Sequence, residues 1–123
     1  MKIKDVVIHV KDFVSFDFYA NKFPRNAEDN CGFIRLEGGG DPHLYIPGFK
    51  SSGIQIVIRH KDAQEAERIA NEVWAMFHGK THYMIGDTKV FVSMCDQSEP
   101  IGLGEDKNER IIFSVNVSCR IVE

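Results

Sequence analysis

Gly53-Ile54-Gln55-Ile56-Val57-Ile58-Arg59-His60, followed by Lys61-Asp62 and the run from Ala63 to Gly79, decides the fold. Ile54, Ile56 and Ile58 share one face of a period-2 ribbon, and Gln55, Val57 and Arg59 take the other. The period then changes. Asp62 is placed to cap a helix, with Glu65 three residues on to reach back in a capping box. Ala66, Ile69, Ala70, Val73, Trp74 and Phe77 recur at helical spacing as one apolar stripe, while Glu67, Arg68, Asn71 and Glu72 cover the opposite side. Gly79 stands where a left-handed C-terminal cap belongs. A strand and a helix, each with one apolar face, bury those faces against one another or against further elements. This unit is the expected core, with Trp74 inside it.

Working outward, Thr81–Ile85 and Thr88–Met94 flank Gly86-Asp87, a pair suited to a two-residue hairpin turn. The cleanest strand comes last. Phe113, Val115, Val117, Cys119 and Ile121 alternate with Ser114, Asn116, Ser118 and Arg120. At ~3.3 Å per residue, Ile112 to Ile121 spans roughly 30 Å. Its second face is polar but lightly charged, as in an antiparallel sheet covered on one side only. Asp96 to Asn108 reads as a long loop holding Pro100, Gly102, Gly104 and several acids, and long loops in small proteins are often functional.

Toward the N-terminus, Gly32–Leu36 reads as a short strand that Gly38-Gly39-Gly40-Asp41-Pro42 breaks. His43–Ile46 reads as a second short strand, closed by Pro47-Gly48. Phe16, Phe18, Tyr19 and Phe23 form an aromatic crossover ending in a turn at Pro24-Arg25-Asn26. Ile3, Val6, Val7, Val10, Phe13 and Val14 fit a helical stripe, although Val6-Val7-Ile8 also has strand character. The periodicity favours the helix. The sum is an α+β fold: a mostly antiparallel sheet with one or two helices packed on one face. No repeat, linker or low-complexity tract divides the chain, so residues 1–123 are expected to form a single domain.

Composition narrows the function. The apolar share of 43% and the charged share of 27% are those of a globular protein. A net charge of −3 opposes sequence-independent nucleic-acid binding, which needs a basic surface. No apolar run approaches the ~20 residues of a membrane span. Met1-Lys2-Ile3-Lys4-Asp5 lacks the apolar region of a signal peptide. Cys31, Cys95 and Cys119 are odd in number and widely separated, which favours reduced thiols in a cytoplasm.

Fragments that invite an enzymatic reading fail on spacing. Gly79-Lys80-Thr81 resembles the end of a phosphate loop, but Trp74 stands where the first glycine is required, and the triplet follows a helix. Gly38-Gly39-Gly40 opens no helix. Gly102-Leu103-Gly104 lacks a third glycine, since Lys107 is in its place. His78 and His82 are four apart, but Gly79 ends the helix between them. Asp96, Glu99, Glu105 and Asp106 read as a solvated acidic loop. No catalytic, metal or cofactor residue is expected. A rival reading, a small enzyme or ligand-binding α+β domain, would place a pocket beside the helix with His60, His78 or His82 and a nearby acid.

In order, the elements resemble those of the small minor capsid or tail terminator proteins of long-tailed bacteriophages. The landmarks are Phe23-Pro24, then Leu36-Glu37-Gly38-Gly39-Gly40-Asp41-Pro42, then Ile54–Arg59, then Asp62-Ala63-Gln64-Glu65-Ala66 with Ile69-Ala70. Pro100-Ile101-Gly102 and Asp106-Lys107-Asn108-Glu109-Arg110 precede the closing strand. The N-terminal segment is short for the helix expected there. The resemblance implies a non-enzymatic virion protein without cofactor, forming a sixfold ring on the end of the tail tube. That ring stops polymerisation of the tail tube protein and offers the surface to which the filled head joins. A neck or head–tail joining protein of the same particle is the nearest variant. The implied partners are further copies of the chain, the tail tube protein and head–tail connector proteins. Neither membrane nor nucleic acid is among them. The implied location is the virion, by way of the host cytoplasm. Head-to-tail contacts close such rings. The residues expected at contacts are Gly39 and Asp41 in the glycine loop, Gln55 and Arg59 on the outward strand face, and Glu99, Pro100, Ile101, Leu103, Asp106 and Arg110 in or after the acidic loop.

Overall fold

The computed structural model describes residues 1–40 and 45–123. Its core is the strand–helix unit. β3 (Phe49–His60) puts Ile54, Ile56 and Ile58 inside, each wholly buried. α2 (Ala63–Phe77) covers them with Ala66, Ile69, Ala70, Val73 and Phe77. Asp62 caps α2, its Oδ1 accepting from the N–H groups of Gln64 at 2.9 Å and Glu65 at 3.4 Å. The capping box is only half built. The Asp62 N–H donates to His60 Nδ1 at 2.9 Å, and the Glu65 carboxylate turns to Arg68 at 2.7 Å. Gly79 follows the helix with φ +71°, and its N–H donates to the Ser93 carbonyl at 2.9 Å. A side chain there would strain the backbone.

Trp74 belongs to the stripe as expected but is only half-buried, packed against the core from its edge. Its indole N–H donates to the Gln97 carbonyl at 2.9 Å, and its ring stacks on His78 at 4.3 Å. The indole lies at the edge of the stripe, where a polar Nε1 finds a partner.

The remaining elements are α1 (Ile3–Phe13), β1 (Phe18–Ala20), β2 (Cys31–Gly38), β4 (Lys80–Ile85), β5 (Thr88–Cys95), β6 (Ile101–Glu105) and β7 (Ile111–Val122). All strands join one sheet in the order β1-β2-β3-β7-β5-β4, with β6 also on β7. Every pairing except β1–β2 is antiparallel. The fold is therefore α+β. α1 buries Val6 and Val10, with Asp5 in its first turn and Lys11 in its last, the charge order that the helix dipole favours. Both helices bury their apolar stripes against the sheet face carrying Ile34, Ile56 and Val115, which stand in line across β2, β3 and β7.

Two strands form where the sequence shows no strand pattern. β1 lies within the aromatic crossover and pairs parallel with β2, Phe18 opposite Gly32. β6 lies within the segment expected to be loop from Asp96 to Asn108. Cys95 of β5 faces Val117, and Ile101 of β6 faces Ser114, so both strands lie along one edge of β7. Only the excursion Asp96–Pro100 leaves that edge. The strand expected over His43–Ile46 falls partly outside the described residues, and Tyr45 and Ile46 lie in a bend.

Candidate interface surfaces

The residues expected at contacts separate into three settings. The first is the sheet face away from the helices. On it, Gln55 stands opposite Arg35 on one side and Asn116 on the other. Arg35 Nε donates to Gln55 Oε1 at 2.7 Å, and Arg120 donates to Ser51 Oγ at 2.7 Å. Ser118 donates to Asp96 Oδ1 at 2.6 Å. The result is an open lawn of amides and hydroxyls, with arginines held on neutral partners.

Arg59 shares that face but is 7% exposed, so the expectation that it contributes from an open surface is corrected. Residues 21–30 fold over it. Its guanidinium lies 4.1 Å from the centroid of the Phe23 ring and donates to the Glu28 carbonyl at 3.0 Å. Phe23 meets Phe33 edge-on at 4.8 Å. Arg59 Nε is buried with no hydrogen-bond partner among the described residues. An alternating pattern gives the face of a side chain and not what a distant segment lays over it.

The second setting is the turn from β6 to β7. Asp106 Oδ1 accepts from the N–H groups of Asn108 at 2.9 Å and Arg110 at 3.0 Å, and its Oδ2 accepts from Arg110 Nε at 2.8 Å. Desolvation pushes the Asp106 carboxyl up, but these N–H groups and the guanidinium outweigh it and hold the group below its ordinary value. Arg110 also reaches Asp29 at 3.4 Å. Asp106 and Arg110 thus bond each other and brace the turn against the 21–30 cover.

The third setting is exposed. Glu99 and Pro100 border a 310 Å³ hollow between α2 and β6, with Glu67, Asn71 and Phe113 on its other sides. Ile101 is half-buried, and Leu103 projects at a register shift between Gly102 and Gly104. Gly39 is also exposed, and a Cβ there would run into the Ser51 carbonyl, so close strand approach requires glycine. Asp41 lies outside the described residues.

The histidines do not converge. His78 Nδ1 accepts from the Cys95 N–H at 3.2 Å. His82 sits in β4 with φ +52°, its ring 5.7 Å from that of Phe91. His60 borders an open 530 Å³ cleft with Lys11, Asp17, Glu65 and Arg68, but its Nδ1 is occupied by the Asp62 N–H. Burial pushes the Cys95 thiol up to about 11 and the Cys119 thiol up to about 12, away from the thiolate a nucleophile needs. Among the described residues, no helix is long and apolar enough to cross a membrane.

A family model described as bacteriophage tail terminator protein matches residues 6–123. The chain belongs to that family. The match begins inside α1 and runs through β7, so it takes in the sheet, α2 and all three settings. Among the curated proteins, no match reaches significance. Family membership makes this a phage tail structural protein, and its surroundings are other tail and head proteins.

Proposed function

We propose that residues 1–123 act as one unit that assembles into a closed ring, hexameric in number, on the end of the tail tube. The ring halts tube polymerisation and gives the filled head its joining surface. The role is structural, with no catalytic step and no cofactor. The partners are further copies of the chain, the tail tube protein and head–tail connector proteins. The chain takes its place in the virion after assembly in the host cytoplasm. The observation that carries this reading is the tail terminator match over residues 6–123. The uncovered polar sheet face and the exposed β6 region supply surface of the kind that ring subunits need. Gln55, Gly39, Glu99, Pro100, Ile101 and Leu103 are its candidate contact residues, and Asp106 and Arg110 hold the β6–β7 turn in shape for them.

The test is electron microscopy of particles from a prophage with this gene disrupted. Filled heads beside detached tails of irregular or excessive length are expected. Heads with no tails would move the protein to tube formation. Normal infectious particles would remove the structural role.

A further inference from the structure

The Cys31 thiol lies apart from the other two. Cys95 and Cys119 sit in the core beneath the helices, whereas Cys31 stands opposite Arg59 across β2 and β3, on the sheet face turned away from them. It is nonetheless wholly buried. What covers it is the segment 21–30. Cys31 Sγ donates to the Glu28 carbonyl at 3.3 Å, and the same carbonyl accepts from Arg59 Nη2. Phe23 closes over the guanidinium, which stands within hydrogen-bonding reach of the sulfur. Arg59 Nε, in a side chain 7% exposed, has no hydrogen-bond partner among the described residues. The covered pair therefore keeps an unused donor, which an anion at this place would engage.

The cover is a strap with few apolar holds. It starts at Asn21, which has φ +72° and whose N–H donates to the Ile34 carbonyl at 2.7 Å. It runs without helix or strand to Asn30. Phe23 meets the sheet through Phe33 and Arg59. Asp29, half exposed, pairs with Lys61 at 3.7 Å and Arg110 at 3.4 Å, and the Glu28 carboxylate accepts from the Tyr19 hydroxyl at 3.0 Å. Exposed polar contacts hold weakly, and segments held by them open locally before the fold does. None of residues 21–30 belongs to the core beneath the helices, so the strap lifts with that core intact.

We propose that residues 21–30 are a strap that gates the Cys31 thiol: the strap lifts, a small disulfide caps the sulfur beside Arg59, and the capped sulfur holds the strap open. The Cys31 proton passes to water, and the thiolate attacks one sulfur of the disulfide. The S–S bond of the reagent breaks, its other half leaves as a thiolate, and Cys31 becomes a mixed disulfide. In the closed state burial pushes the thiol up, Arg59 and Arg110 oppose that, and Glu28 adds to it. Opening removes the burial and leaves Arg59 on the neighbouring strand, so the thiolate forms more readily in the open state. An adduct on Sγ then takes the place of the Glu28 carbonyl, which bars reclosure.

The test treats the full chain with dithionitrobenzoate, follows the released thionitrobenzoate by absorbance, and locates each adduct by mass spectrometry of peptides. Cys31 is expected to be capped about 100-fold faster than Cys95 and Cys119, which wait for the sheet to come apart. Phe23→Ala loosens the strap and speeds Cys31 about tenfold, with Cys95 unchanged. Arg59→Gln moves the pH midpoint of Cys31 capping upward, and Arg59→Lys keeps it near the wild type, a difference that looser packing does not produce. Thermal melts establish that the variants fold. In the capped wild type, trypsin cuts after Arg25 faster and hydrogen exchange rises in residues 21–30 alone, and both revert when a dithiol reductant removes the cap. The first and last measurements need no variant. Three cysteines that react together, at the pace of global unfolding, overturn the gate. An unshifted midpoint in Arg59→Gln overturns the pairing of thiol and guanidinium. A capped chain cut after Arg25 no faster than the uncapped one overturns the hold on the strap.

Discussion

The Arg59 guanidinium rests on the Phe23 ring, 4.1 Å from its centroid, beneath a segment that joins β1 to β2. A charge is thereby kept under cover on the otherwise open sheet face, by an aromatic surface and one carbonyl. Arg59→Ala removes the stacking and the bond to Glu28 and leaves a gap under Phe23. The expected loss is about 2–4 kcal/mol in urea unfolding. Arg59→Lys keeps a cation over the ring without the planar fork, and costs about 1 kcal/mol. Equal stability of the alanine variant and the wild type would place the guanidinium outside the packing.

The half-built capping box separates Asp62 from Glu65. Asp62→Ala is expected to cost about 1 kcal/mol, the usual value of an N-cap. Glu65→Ala costs less, because its carboxylate makes an exposed pair with Arg68 and leaves the Asp62 N–H with His60. Paired denaturation curves decide this. A larger loss for Glu65 would mean that the box closes in solution.

Trp74 sits at the edge of the core, so Trp74→Ala is expected to cost about 2 kcal/mol, below the roughly 3–5 of a fully buried large aromatic. The same change frees Gln97, and hydrogen exchange should speed up selectively in Asp96–Pro100. Exchange that rises evenly across the sheet would show the indole to be central after all.

Alkaline pH probes the buried acids. Desolvation raises the Tyr83 hydroxyl and the Cys119 thiol to about 12, and the Cys95 thiol to about 11. The unfolded chain therefore releases these protons first, and stability falls as pH climbs from about 9 toward 12. Tyr83→Phe and Cys119→Val should flatten that fall. On the acid side, burial lowers His9, so folding holds it neutral and stability drops as pH goes below 6.5. His9→Phe should remove that drop. Thermal melts from pH 5 to pH 11 measure both limbs.

Legibility followed the range of the physics involved. The β3–α2 unit, the β4–β5 hairpin and β7 could be read because burial on one face leaves a period in the residues themselves. The α1 stripe was readable for the same reason, despite its β-branched content. β1 is three residues long and leaves no period to detect. β6 hides because two of its five residues are glycine, and it is a strand only because β7 offers it an edge. Arg59 and Trp74 share a different cause. Each has the expected face, but its degree of burial depends on a segment remote in sequence. The contact residues met the same limit. Asp106 and Arg110 look like solvated charges in the sequence, and in the fold they bind each other.

β7 also sets a schedule. It is the strand through which β3, β5 and β6 join, and residues 61–110 lie between it and β3. During synthesis β2 can zip onto β3 and β4 onto β5 as soon as each pair leaves the ribosome. Until residues 111–122 arrive, the sheet has no strand to join these hairpins. Long-range closure of this kind is slow. An unfinished subunit thus lacks the sheet that places its exposed β6 and its open polar face, so premature association between nascent chains has no template. Assembly competence arrives late and all at once.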